Sequence, residues 1–166
     1  MIIIRSYQNS DAQALGILIA DTYAKFNLSF VPPEERKAFL GPFQHARSSD
    51  PAHQETIART IQAAMVFVAE KDGQIVGVLR GRTDKLQSLF VGGAFHRQGI
   101  GRRLVERFEQ ECARGGATKI RVNATLYAVP FYQVMGYKKT TGVRKMTSFE
   151  GEGLVYQPMK KVMRGG

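Results

Sequence analysis

Acidic side chains are in short supply: 24 lysines and arginines stand against 14 aspartates and glutamates, a formal charge of +10 over 166 residues. That deficit calls for an anionic partner, whether a phosphorylated cofactor, nucleic acid or an acidic surface, without choosing among them. Much of it falls late. Beyond Gly136, Lys138, Lys139, Arg144, Lys145, Lys160, Lys161 and Arg164 face only Glu150 and Glu152, and a solvated basic face is the simplest account of them. Cysteine is nearly absent. Cys112 has no partner for an internal disulfide, so nothing argues for an oxidising compartment. Four residues after Phe108 on the apolar side of an expected helix, it reads as a small core residue rather than a nucleophile. Long apolar runs are missing too. None approaches the roughly 18 residues of a membrane span, and Met1-Ile2-Ile3-Ile4-Arg5 is too short for a signal segment. A cytoplasmic protein without a membrane partner is expected.

The chain length and a 43% hydrophobic content suit one compact domain over residues 1–166. Ile2 to Arg5 has strand character, and Ser10-Asp11-Ala12-Gln13 matches a capping box opening a helix to about Phe26. Pro32, Pro33, Pro42 and Pro51 then punctuate the least regular stretch, leaving short helical pieces at 34–40 and 52–62. From Met65 the residues turn β-branched and aromatic: a strand to Glu70, a Lys71-Asp72-Gly73 turn, and a return strand from Gln74 to Arg82. Leu86 to Val91 reads as another strand. Ile100, Leu104, Val105, Phe108 and Cys112 then make one apolar stripe on a helix from about Gly99 to Arg114, ended by Gly115-Gly116. Lys119 to Val122 reads as a strand, and Ala128 to Met135 as a short helix with Pro130 in its first turn. Closing strands are expected at 137–141 and 154–161, with Pro158 tolerable only at an edge or bulge.

Strand, helix 99–114 and strand make a β-α-β unit, so its strands are expected to be parallel with a right-handed crossover. Ligands of such sheets sit beyond the carboxyl ends of the strands, which puts the Gly99 loop and Asn123 beside one crevice. Gly99 and Gly101 have no side chains, so an anion can approach the unpaired amides at the start of the helix and the positive end of its dipole. Two other glycine-loop chemistries fail on residue identity. Ile100 follows Gly99 where a Walker A loop needs lysine, and Leu104 stands where a dinucleotide fingerprint needs glycine or alanine.

Ser88-Leu89-Phe90-Val91 followed by His96-Arg97-Gln98-Gly99-Ile100-Gly101-Arg102-Arg103-Leu104 resembles motif A of the GCN5-related N-acetyltransferase (GNAT) superfamily. Val122-Asn123-Ala124-Thr125 through Pro130-Phe131-Tyr132 to Gly136-Tyr137 resembles its motif B, in the right order and spacing. The resemblance implies an α/β (α+β) acyl-CoA N-acyltransferase fold: a mixed, mostly antiparallel sheet of about seven strands with a splayed parallel central pair, flanked by helices. It departs from the family at His96, where Gln or Arg is usual; because backbone amides are to hold the pyrophosphate, binding is expected to survive.

The same resemblance implies acetyl-CoA as cofactor and a primary amine, small or on a protein, as acceptor. Main-chain groups of Leu89, Phe90 and Val91 would pair with the pantetheine arm, and the loop from His96, Arg97 and Gln98 through Gly99, Ile100, Gly101 and Arg102 would hold the pyrophosphate. Asn123 would hydrogen-bond the cofactor, or else cap its strand; Phe131 would pack on the cofactor, or else only in the core. Attack by a neutral amine would pass through a tetrahedral oxyanion held by an N–H near Val91, with Tyr132 the proton donor to the departing thiolate. Tyr127 and Tyr137 are close enough in sequence to be confused with it. Asp84, His96 and His45 are nominal bases, and no metal is called for. Phe26, Phe30, Phe39, Phe43, His45 and His53 would give the acceptor side an aromatic surface, unless they are core. The alternative is a basic nucleic-acid- or ribosome-associated module retaining the fold, although no RNA-binding motif is present and nucleic acid is not the expected partner. Dimerisation, common in the family, is left open.

Overall fold

The computed structural model describes residues 1–145 and 155–163. Among those residues the frame is one sheet of eight strands, one more than expected: β1 Ile2–Ser6, β2 Met65–Lys71, β3 Gln74–Arg82, β4 Lys85–Val91, β5 Lys119–Thr125, β6 Lys138–Lys139, β7 Arg144–Lys145 and β8 Val155–Val162. The order is β1-β2-β3-β4-β5-β8-β6, with β7 also on β8. Every neighbouring pair is antiparallel except β4 with β5. The expected mixed sheet with a parallel central pair is therefore present. The extra strand arises because the segment after Tyr137 reaches β8 in two short pieces instead of one.

Period-two alternation divides the core between the two faces of the sheet. On β2, Val66 and Val68 meet Leu15, Ile19, Ile57 and Ile61 from helices α1 (Ala12–Thr22) and α2 (Pro51–Ile61). Phe67 and Ala69 face the other way, onto Leu104, Val105, Phe108 and Cys112 of α3 (Ile100–Arg114). The apolar stripe expected on that helix is thus its sheet-facing side. Gly81 lets α3 sit close, since a Cβ there would lie 2.6 Å from the Phe108 ring. Asp72 and Gly73, both at positive φ, make the tight β2–β3 turn, as an Asp-Gly pair suits.

Three local expectations need correction. The helix entry is not capped from Ser10: a 3-10 turn, Asn9–Asp11, precedes α1, and Asp11 accepts from the Gln8 amide at 2.7 Å and from both Arg5 guanidinium nitrogens at 2.8 Å. Arg5 also holds Glu70, so the Asp11 carboxylate is drawn toward β1 and β2 and its acidity raised. α1 ends at Thr22 rather than Phe26, continuing as a π-turn, Tyr23–Asn27, and residues 33–39 and 41–45 are 3-10 turns. Pro158 lies inside the sheet, opposite Asn123 on β5. Its missing N–H is tolerated because the ladder on the other side of β8 is broken there. β6 pairs only with Met159 and Lys160, and β7 only with Val155 and Tyr156.

Candidate functional site

The parallel pair is barely a pair. β4 and β5 match only at Lys85↔Arg121 and Leu86↔Val122, beyond which they splay. On its other side β4 continues along β3 to Val91, with a bulge at Gln87, between the Arg80↔Ser88 and Gly81↔Leu86 pairs. The Gly92 amide bonds the Val76 carbonyl at 2.9 Å, and antiparallel bonding alternates. Ser88 and Phe90 therefore direct their main-chain groups to β3, whereas Leu89 and Val91 direct theirs into the gap toward β5.

The gap opens into a cleft of about 670 Å³. At its base lies the amino terminus of α3. The first intrahelical bond runs from Arg103 to Gly99, and no side chain caps the helix, so the amides of Ile100, Gly101 and Arg102 have no helical partner. Gly99 supplies the left-handed turn, at φ +80°, and a Cβ on it would meet nothing within 4 Å. Arg97 is also left-handed, at φ +63°. The open space expected at Gly101 is filled instead: a Cβ there would stand 3.3 Å from the edge of the Phe131 ring. Gly101 therefore makes room for Phe131, and Gly99 alone leaves the approach free.

Leu89, Phe90, Val91, His96, Arg97, Gly99, Ile100, Gly101 and Arg102 all line this cleft, and Asn123, Phe131 and Tyr132 line it from the β5 side. Gln98 does not; its side chain turns outward to accept from Lys71 Nζ at 2.7 Å. His96 donates from Nε2 to the Val91 carbonyl at 2.7 Å and packs tilted on Phe26, so its ring ties the loop to the end of β4. Asn123 is not a strand-end cap, because β5 runs on to Thr125.

The structure separates the three tyrosines. Tyr137 donates to Glu109 at 2.9 Å beneath the sheet, and Glu109 also holds Lys161. Tyr127, half exposed at the rim, stacks on Phe26. Tyr132, on the short helix α4 (Val129–Val134), is 4% exposed and reaches the cleft between the Phe131 and Tyr137 rings. Among the described residues no hydrogen bond is made by its hydroxyl. Burial, reinforced by Tyr127, raises its pKa well above that of a free phenol.

Of the nominal bases only His96 reaches the cleft. Asp84 sits between Arg82 and Arg121, each 3.5 Å away, and His45 stacks on His53 at 3.9 Å. Among the described residues no aspartate or glutamate lines the cleft. Cys112 is buried against the sheet, its thiol pushed up to about 12 by desolvation. Phe43 belongs to the core, Phe39 packs at its margin and Phe30 is exposed; Phe26 does not line the cleft itself but packs on two residues that do, His96 and Tyr127. Two signals could not be read from spacing: Asn27 and Tyr23, on the π-turn, also line it.

A sheet split at its parallel pair, above a helix start with no side-chain cap, leaves room for a long phosphorylated carrier. The family described as acetyltransferase (GNAT) domain matches residues 33–163. No curated protein matches the sequence. Among solved structures, the PaiA N-acetyltransferase from Thermoplasma acidophilum in complex with coenzyme A is similar, at 16% identity and a TM-score of 0.71 over 98% of this chain and 99% of that one. A GCN5-related N-acetyltransferase from Rhodopseudomonas palustris is 20% identical, with a TM-score of 0.70 over 97% and 95%. The ribosomal-protein-alanine N-acetyltransferase from Brucella melitensis is 20% identical, with a TM-score of 0.63 over 97% and 99%. The chain belongs to the GNAT acetyltransferase family. It is an N-acetyltransferase and acetyl-CoA is its acyl donor. The residues present fit that donor: free amides and Arg97 and Arg102 stand at the phosphate end, and unladdered main-chain groups line the way to Tyr132. No helix among the described residues is long and apolar enough to cross a membrane.

Proposed function

We propose that the chain, as one cytoplasmic domain over residues 1–166, transfers acetyl from acetyl-CoA to a primary amine by direct attack, with Tyr132 the donor to the departing thiolate. The observation that carries this reading is the interrupted β4–β5 ladder facing the uncapped start of α3. When bound, acetyl-CoA supplies a thioester, an acyl group activated toward amines. The amides of Ile100, Gly101 and Arg102, with the adjoining His96–Gly99 loop, suit its pyrophosphate. Leu89 and Val91 suit the amides of its arm, as an added strand would; Asn123 adds a hydrogen bond and Phe131 an apolar wall.

The Val91 N–H points into the gap, where it can donate to negative charge growing on a carbonyl oxygen. His96, by holding the Val91 carbonyl, fixes the peptide that carries the next residue and the orientation of the strand end. A phenol raised in pKa is a poor proton source but a permanent hydrogen-bond donor, so Tyr132 stabilises the thiolate chiefly by donation. No carboxylate lines the cleft among the described residues; His96 donates from Nε2, which leaves the lone pair on Nδ1, so the proton of the amine leaves to water or through that nitrogen.

Thermal melting with and without acetyl-CoA tests the reading. Saturation at about 100 times Kd contributes about 2.7 kcal/mol, and for a chain of this length that raises Tm by about 5–10 °C. No shift, together with salt-sensitive retention of RNA, would overturn it in favour of the nucleic-acid module.

A further inference from the structure

The buried side-chain carbonyl of Asn27, in the cleft wall, has no partner among the described residues. Asn27 ends the π-turn that continues α1, closed by a bond from the Leu28 amide to the Tyr23 carbonyl at 3.0 Å. Single π-turns widen a helix locally and recur where side chains serve a site. Asn27 lines the cleft, yet its Oδ1 is shut away from solvent with no hydrogen bond among the described residues. An unpaired carbonyl that has lost water destabilises the fold, and an N–H that reaches it from the cleft as a neighbouring side chain turns aside would satisfy it.

The cleft that Asn27 lines is rich in aromatic rings. Tyr23 and Phe90 line it, packed edge-on at 6.2 Å, and so do His96 and Tyr127, which pack on Phe26 behind them at 4.6 and 6.1 Å. The charged side chains at the cleft are positive: Arg97 and Arg102 line it, and Lys25 Nζ lies 5.4 Å from the Phe26 ring. With no carboxylate lining the cleft among the described residues, a second ammonium would find no counter-charge and would meet that positive field. A single amine fits differently: aromatic faces suit its apolar body, and a neutral carbonyl suits its N–H.

We infer that Asn27 binds the acceptor amine, and that the acceptor is a monoamine on an aromatic or branched apolar body rather than a polyamine. The inference rests on the acetyl transfer proposed above. An amide N–H of the cofactor arm could also reach Asn27, and kinetics separates the two donors.

The test is thiol release with 2-phenylethylamine and with spermidine, by wild type, Asn27→Leu and Asn27→Asp. Wild type should prefer 2-phenylethylamine by about ten-fold or more in kcat/KM. Asn27→Leu replaces an unsatisfied polar group by an apolar one of similar size, so its Tm should hold or rise while KM for the amine rises about ten-fold and KM for acetyl-CoA stays within about two-fold. Asn27→Asp should shift preference toward spermidine. An unchanged amine KM in Asn27→Leu, a rise in acetyl-CoA KM instead, or a wild-type preference for spermidine each overturns the inference. So does a fall in Tm accompanied by a rise in both KM values, the mark of a structural role. Stabilisation by acetyl-CoA without turnover of 2-phenylethylamine sinks the acceptor class alone; absence of that stabilisation sinks the transferase reading beneath it.

Discussion

Replacing Tyr132 by phenylalanine removes one oxygen from a buried ring and should divide catalysis from stability cleanly. The hydroxyl has no hydrogen-bond partner among the described residues, and the ring contacts with Phe131 and Tyr137, at 5.1 and 5.5 Å, survive the change. Tm should therefore stay within about 2 °C. A hydrogen bond to a charged group contributes about 1.5–3 kcal/mol, so losing donation to a thiolate should lower kcat by about 10–100-fold. Complete proton transfer would allow a loss of up to about 10⁴-fold, but the raised phenol pKa argues against it. Because the phenol stays protonated through neutral pH, the deficit should be flat between about pH 6 and 9. Steady-state thiol release, read beside a melting curve, checks both parts. Unchanged kcat would reject Tyr132 as the donor; a fall in Tm of several degrees with a matching loss of all activity would make it a packing residue.

Tyr132 and Tyr137 should also set an alkaline limit. Both have folded pKa values raised above the ordinary 10.0, so their contribution is complete below pH 10 and declines above it as the unfolded chain ionises, by about 1.4 kcal/mol per pH unit for each. Melting against pH should show that slope, to which the also raised Cys112, Tyr7 and Tyr127 add, and Tyr132→Phe should lessen it by about 1.4 kcal/mol per pH unit. Cys112, buried and with its thiol pushed up to about 12, should not react with a thiol reagent until denaturant is added, which a reagent titration reads directly. The two loop glycines should diverge. Gly99→Ala forces a side chain to φ +80° at about 1–2 kcal/mol, lowering Tm by about 2–8 °C. Gly101→Ala sets a methyl 3.3 Å from the Phe131 edge and 3.8 Å from Val91, crowding that the ring relieves by shifting into the cleft, so it should nearly hold Tm and raise KM for acetyl-CoA; equal Tm losses in both would refute the separate roles.

Much of the architecture was legible in the sequence because it depends on local rules. The Ile100 to Cys112 stripe has the helical period, Asp72-Gly73 meets the requirement of a tight turn, and Gly99 before an apolar helix marks an open amino terminus. The same rules misled where distant partners intervened. Ser10 lost the helix entry because Arg5 and the Gln8 amide hold Asp11, and Pro158 sits inside the sheet because two short strands leave its other side unpaired. Helix and strand periodicity, turn chemistry and the anion-ready glycine loop were thus determined by the sequence alone, since each is a matter of neighbouring residues. The parting of β4 from β5 was implied by the family resemblance; only the tertiary structure decided that the bulge falls at Gln87, that His96 clasps Val91, that Phe131 occupies the space over Gly101, and that Asn27 lines the cleft unpaired among the described residues. Those are contacts between segments far apart in the chain, and their energies are settled by packing rather than by propensity.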